Sequence, residues 1–146
     1  MRSEVGGPWP AYAAAAWAAV FAVFHIIWAT GWYPLLDATV VRFDAPWKWW
    51  FDVVVAGMCV IAVPVALTPV VPWGRRLPQR PVYVVLWIGT ALLDLRLIAA
   101  TIQTVYLLAV GRFHIGIIGI WDWWFVIGSI LFTLSTWRWS RLRASA

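Results

Sequence analysis

From Val82 to Val110 the chain is apolar apart from two charges, Asp94 and Arg96, and a few hydroxyl, phenol and amide groups. A run of that length suits a helix that crosses a lipid bilayer, whose hydrocarbon core is about 30 Å thick and takes roughly 20 helical residues. Three further stretches have the same character: Trp9–Thr30, Trp49–Val71 and Ile115–Trp137. The expectation is therefore an all-α integral membrane protein, a four-helix bundle formed by one domain over residues 1–146.

Composition points the same way. Hydrophobic residues make up 64% of the chain and charged residues 12%, with mean hydropathy +0.82. A soluble domain carries about 25% charged residues, so this chain could not cover a water-facing surface. The net charge of +5 does not imply a nucleic-acid partner, because the basic residues gather at the ends of the spans and not along one soluble face.

Their distribution sets an orientation. Arg2, Arg75, Arg76, Arg80, Arg138, Arg141 and Arg143 fall on one side of the four spans, and Arg42, Lys48 and Arg112 on the other. Basic residues favour cytoplasmic connections, which places both termini in the cytoplasm and the 31–48 and 111–114 connections outside. The chain has no Asn and a single Lys, while Ala, Arg, Trp and Pro are common. That bias suggests a GC-rich bacterial genome, hence a multi-pass protein of the bacterial plasma (inner) membrane. Arg2 before an alanine-rich run superficially resembles a signal peptide. The apolar run is too long for one, and His25, Trp28 and Trp32 stand where small cleavage-site residues would be needed; a retained anchor is expected.

Tryptophan is the other unusual component, with 14 residues. Trp28, Trp32, Trp47, Trp49, Trp50, Trp121, Trp123 and Trp124 gather at the outer boundary, and Trp73, Trp137 and Trp139 at the inner one. Indoles settle at the headgroup level, which explains part of this pattern; an aromatic-lined outer pocket would hold the rest. In the second span Pro64 predicts a bend and Pro69 to Pro72 a helix end, since proline removes a backbone donor. The following PWGRRLPQRP segment reads as a short basic loop. The 31–48 connection is amphiphilic and suits either an interfacial segment or a lid.

Several residues are candidates for chemistry. A charge at the bilayer centre costs roughly 2.5–3.5 kcal/mol on insertion scales, so Asp94 and Arg96 must face protein or a wet cavity. Two residues apart on a helix, their side chains diverge by about 200°, and each is expected to find its partner on another helix. Gln103 lies on roughly the same face as Arg96. On the first span Trp17, Phe21, Phe24, His25, Trp28 and Trp32 recur at steps of three and four and share a face. On the fourth, Asp122 opens a polar stripe through Ser129, Thr133 and Thr136, flanked by Trp121, Trp123 and Trp124.

With that topology Asp37, Asp44, Asp52, Asp122, His25 and His114 all lie in the outer half or beyond it. Carboxylates and imidazoles can transfer protons, and aromatic faces stabilise cations. The expected site is thus an outward polar cavity for a small lipophilic molecule. Asp94, Asp122 and His25 are its acid–base candidates, and Arg96, Gln103, Trp28, Trp32, Trp121 and Trp124 its binding residues. Proton-initiated isomerisation or cyclisation of an alkene is the chemistry such a set could perform. No metal-ligand spacing, phosphate loop, nucleophile elbow or haem motif is present, so no metal or cofactor is implied. The single Cys59 excludes an internal disulfide. The alternatives are an accessory or scaffold subunit, working as a homo-oligomer or within a larger membrane complex, and an oligomeric transporter or ion pathway.

The stretch AAVFAVFHIIWATG at Ala18–Gly31, with a histidine, two residues, a tryptophan and a closing glycine, resembles a family of small four-span bacterial membrane proteins of uncharacterised function. The last span, WDWWFVIGSILFTLSTWRW, with its small pair Gly128–Ser129 and basic tail, is similar too. The resemblance implies a four-helix membrane bundle and carries no catalytic residues with it.

Overall fold

The computed structural model describes residues 7–35, 46–111 and 117–144. Four long helices account for most of them: α1 (Trp9–Ala29), α2 (Pro46–Leu67), α3 (Gln79–Ala109) and α4 (Ile117–Ala144). A short 3-10 turn, Pro72–Arg76, joins α2 to α3. There is no strand among the described residues. Three of the helical segments are long and apolar enough to cross a membrane: α1, Trp49–Leu67 of α2, and α3.

The ends follow from local chemistry. Pro10 sits in the first turn of α1, where its missing N–H is not needed. At the other end the Thr30 hydroxyl donates to the Ile27 carbonyl at 2.7 Å, and Gly31 turns the chain with φ 89°. Gly111 closes α3 in the same way with φ 66°. Both are left-handed conformations that glycine adopts without steric cost. The second helix runs through Pro64 and ends at Leu67, short of the expected Val71. There the Thr68 hydroxyl takes up the Pro64 carbonyl at 2.9 Å.

The turn beyond is tight. A Cβ on Gly74 would lie within 2.8 Å of three backbone atoms of Thr68, so only glycine fits. Gln79 then donates to the carbonyls of Gly74 and Leu77 at 2.8 and 2.9 Å and starts α3 three residues before the expected Val82. The fourth helix continues past Trp137 into the basic tail. The Arg141 guanidinium lies 4.0 Å from the Trp137 ring centre, a cation–π contact one helical turn apart. Arg138 donates to the Gly7 carbonyl at 2.8 Å and ties the N-terminal end to α4.

Packing centres on α1. Its buried face carries Ala11, Ala14, Ala15, Ala18 and Ala22, and small residues allow helix backbones to approach closely. The helix packs chiefly on α2 and also on α4, while α3 packs on α4. Helices α2 and α3, though consecutive, meet over only a short length. The gap between them is the entrance to the cavity described next.

Trp17 joins the layers. Its indole N–H donates to the Trp124 carbonyl at 2.9 Å, and its ring stacks on that of Trp124 with centroids 5.9 Å apart. The same ring meets Phe132 edge-on at 6.0 Å. On α4 it lies against Gly128, where a Cβ would come within 2.8 Å of three of its atoms.

Candidate functional site

A cavity of about 770 Å³ lies among the four helices, within the 300–1,000 Å³ usual for small-molecule sites. Its walls are almost wholly aliphatic and aromatic. Two basic side chains reach it, His25 from α1 and Arg96 from α3, beside the indoles of Trp17 and Trp28.

His25 stands one turn before the end of α1, and Asp52 about as far inside the start of α2. The two helices are adjacent, so these residues fall at the same level. His25 Nδ1 is hydrogen-bonded to Asp52 Oδ1. Both side chains are buried: His25 is 6% exposed and Asp52 3%. Phe21 and Trp28 flank the imidazole edge-on, with ring centres 4.5 and 4.8 Å away. The carboxylate accepts from Nδ1–H, which orients the ring and leaves Nε2 as the group it presents. Among the described residues neither His25 Nε2 nor Asp52 Oδ2 has a hydrogen-bond partner. A buried polar atom without a partner is costly and calls for a functional explanation.

Arg96 lies near the middle of α3, with its guanidinium 4.7 Å from the centre of the Phe125 ring. Phe125 meets Phe21 edge-on at 5.2 Å, and Phe21 meets His25. One aromatic wall therefore runs from Arg96 to His25. Leu86, Val65 and Phe132 also line the cavity, together with Cys59.

Asp94 points elsewhere. Its carboxylate accepts from the hydroxyl of Ser129 on α4 and does not line the cavity. One turn earlier on α3, Thr90 Oγ1 lies 3.2 Å from Thr136 Oγ1 and donates to the Leu86 carbonyl at 2.8 Å. The polar stripe of α4 thus meets α3 through Ser129 and Thr136. The diverging pair Asp94 and Arg96 both reach α4, one through a hydroxyl and the other through a ring face.

Of the expected binding residues, Trp28 and Arg96 line the cavity. Trp124 packs behind it against Trp17. Trp32 is 67% exposed beyond the end of α1, and Gln103 is exposed on α3; neither lines the cavity. The side chains of Trp121 and Asp122 lie outside the described residues, as do Asp37, Asp44 and His114. Among the described residues no group of three His, Cys, Asp or Glu side chains could hold a metal ion.

Asp52 is the residue that sequence reasoning passed over as a site. A signal was present: it is the sole acid in the second apolar stretch, near the start of the helix that follows the one carrying His25. Comparison of the chain with protein-family models, with curated proteins and with solved structures finds no match.

Proposed function

We propose that this chain is a four-span protein of a bacterial plasma membrane, with both termini cytoplasmic, whose cavity binds a small lipophilic molecule at the His25–Asp52 pair. The observation that carries the reading is the unpartnered Nε2 of a buried histidine on the wall of a largely apolar cavity. The seven-to-three bias of basic residues supports the orientation, which puts the His25–Asp52 level in the outer half of the membrane.

The pair divides its work as such dyads do. Asp52 holds the ring in place, and Nε2 accepts a proton from the bound molecule or donates one to it. This moves the acid–base role expected of Asp94 to His25, because Asp94 is engaged with Ser129. Proton transfer to an alkene or from a hydroxyl, as in isomerisation or cyclisation, is the reaction class that such a site could serve. The apolar walls around it exclude water and strengthen each electrostatic contact.

An accessory role has one observation in its favour. Helix α3 buries only Leu86, Thr90 and Ala100 and turns most of its length outward, toward lipid or a neighbouring protein.

The test is native mass spectrometry of the gently extracted protein beside Gly89→Phe. Gly89 lines the cavity, and a Cβ built there meets nothing within 4 Å, so the ring has room to fill the space. The wild type is expected to carry a small lipophile that Gly89→Phe lacks while remaining folded. A wild type that carries none, and instead retains a second protein, would replace this reading with the accessory one.

A further inference from the structure

The cavity lining lacks one kind of group. His25, Arg96, Trp17 and Trp28 bring nitrogen to it, and among the described residues no lining side chain bears an oxygen. The two indoles are engaged, Trp17 with the Trp124 carbonyl and Trp28 with the Pro34 carbonyl. A guanidinium donates and never accepts. The backbone carbonyls of helices that span a membrane are taken up within the helices themselves.

His25 completes the pattern. Its Nε2 is buried without a partner among the described residues, while Nδ1 is bound to Asp52. A net charge buried among apolar walls is costly, and the pair avoids it by holding one proton between Nδ1 and Oδ1. The ring's other hydrogen is then on Nε2, whether the shared proton sits with the imidazole or with the carboxyl group. In that state Nε2 is a donor and needs an acceptor.

The cavity also has a mouth. Phe51, Met58 and Ile61 of α2 and Val85, Ile88 and Leu92 of α3 line it and are at the same time exposed on the outside of the bundle. In a bundle that spans the bilayer, a gap rimmed by such residues opens onto acyl chains and not onto water. The occupant therefore comes from the membrane.

Resting on the reading of this cavity as a ligand site, we infer that its occupant is a membrane-dissolved carbonyl compound of the ketone type, whose oxygen accepts from His25 Nε2. A ketone accepts without donating, so it satisfies Nε2 and brings no hydrogen that needs a partner. An alcohol oxygen would accept as well, but its own O–H would be buried against a lining that offers only the sulfurs of Cys59 and Met58, which are weak acceptors. A buried donor left unmet costs free energy. Of the two directions of proton transfer open to Nε2, donation to the carbonyl oxygen is the one this occupant uses.

The experiment uses the full chain in a mild non-ionic detergent. Methyl tetradecyl ketone and the alcohol made by reducing it are titrated into the wild type and into His25→Phe/Asp52→Leu, which removes both members of the pair. Binding is read from tryptophan emission, since Trp17 and Trp28 line the cavity. The wild type is expected to bind the ketone about fivefold or more tightly than the alcohol, the effect of one unmet buried donor. The infrared stretch of the bound carbonyl should fall below that of the ketone in detergent alone. The double variant should lose both the preference and the shift while still taking up the ketone. An alcohol bound as tightly as the ketone, or a carbonyl stretch that does not move, would overturn the carbonyl inference and leave the cavity reading intact. A co-purified lipophile without a carbonyl would do the same. Binding of neither compound, together with no lipophile in the native mass spectrum, would overturn both. The wild-type comparison needs no variant, so a misfolded double variant would not shield the inference from refutation.

Discussion

Trp17 and Gly128 fit each other sterically: the indole occupies the space that a side chain on Gly128 would need. The ring is buried and held by its N–H bond to the Trp124 carbonyl, so it has little freedom to yield. This contact sets how closely α1 approaches α4, and with it the positions of Phe21, Phe125 and the cavity wall. Gly128→Val is expected to destabilise the protein by about 1–3 kcal/mol through overpacking. Gly57→Ala, where a Cβ meets nothing within 4 Å, is expected to be neutral or stabilising by up to about 1 kcal/mol, the helix-propensity gain. Thermal unfolding in detergent, followed by tryptophan fluorescence, compares the two. Equal stability would refute the fit.

The His25–Asp52 pair should behave as a unit. Removing one member leaves a buried polar group without its partner, at about 1–3 kcal/mol, or more if the group is charged. Replacing both by apolar residues removes that penalty. The double variant His25→Phe/Asp52→Leu is therefore expected to be more stable than Asp52→Leu alone. Additive losses in the double-mutant cycle would show that the two residues are not coupled.

Asp94 and Ser129 allow a sharper discrimination. An amide oxygen still accepts from a hydroxyl, so Asp94→Asn keeps the α3–α4 bond and should cost little. Ser129→Ala removes the donor and is expected to cost about 1–3 kcal/mol, since Ser129 is buried. Neither change touches the cavity wall, so ligand retention in the native mass spectrum should survive both. Loss of the ligand in Asp94→Asn with stability unchanged would return Asp94 to the site.

Orientation is open to direct labelling. Trp32 and Leu77 are both exposed, at opposite ends of the bundle, while Cys59 is buried and should give no background. A membrane-impermeant maleimide applied to intact cells is expected to react with Trp32→Cys and not with Leu77→Cys. The reverse pattern would invert the topology.

The helices were largely legible because each of their signals is local. The first apolar stretch, expected over Trp9–Thr30, forms α1 at Trp9–Ala29, and the prolines of PWGRRLPQRP do interrupt the chain between α2 and α3. The end of α4 was not legible at Trp137. Arginines there read as a basic tail, yet Arg141 packs on Trp137 one turn back and Arg138 reaches the Gly7 carbonyl, and the helix continues to Ala144. The candidate site was legible as a set of residue types and not as an arrangement. Residue type singles out His25, Arg96 and Trp28, which line the cavity. It does not join Asp52 to His25, and it points equally to Gln103 and Trp32, which are exposed.

Length and apolarity alone required helices of this kind, because a helix satisfies its backbone hydrogen bonds within a few residues of itself and needs no knowledge of its neighbours. They equally required that Asp94 and Arg96 find polar or aromatic cover. Which cover each found was a matter of helix rotation and neighbour choice. Those depend on the alanine face of α1, on the fit of Trp17 against Gly128, and on the failure of α2 to close on α3. These are contacts between residues far apart in the chain, and they alone brought His25 to Asp52 and left a cavity beside them.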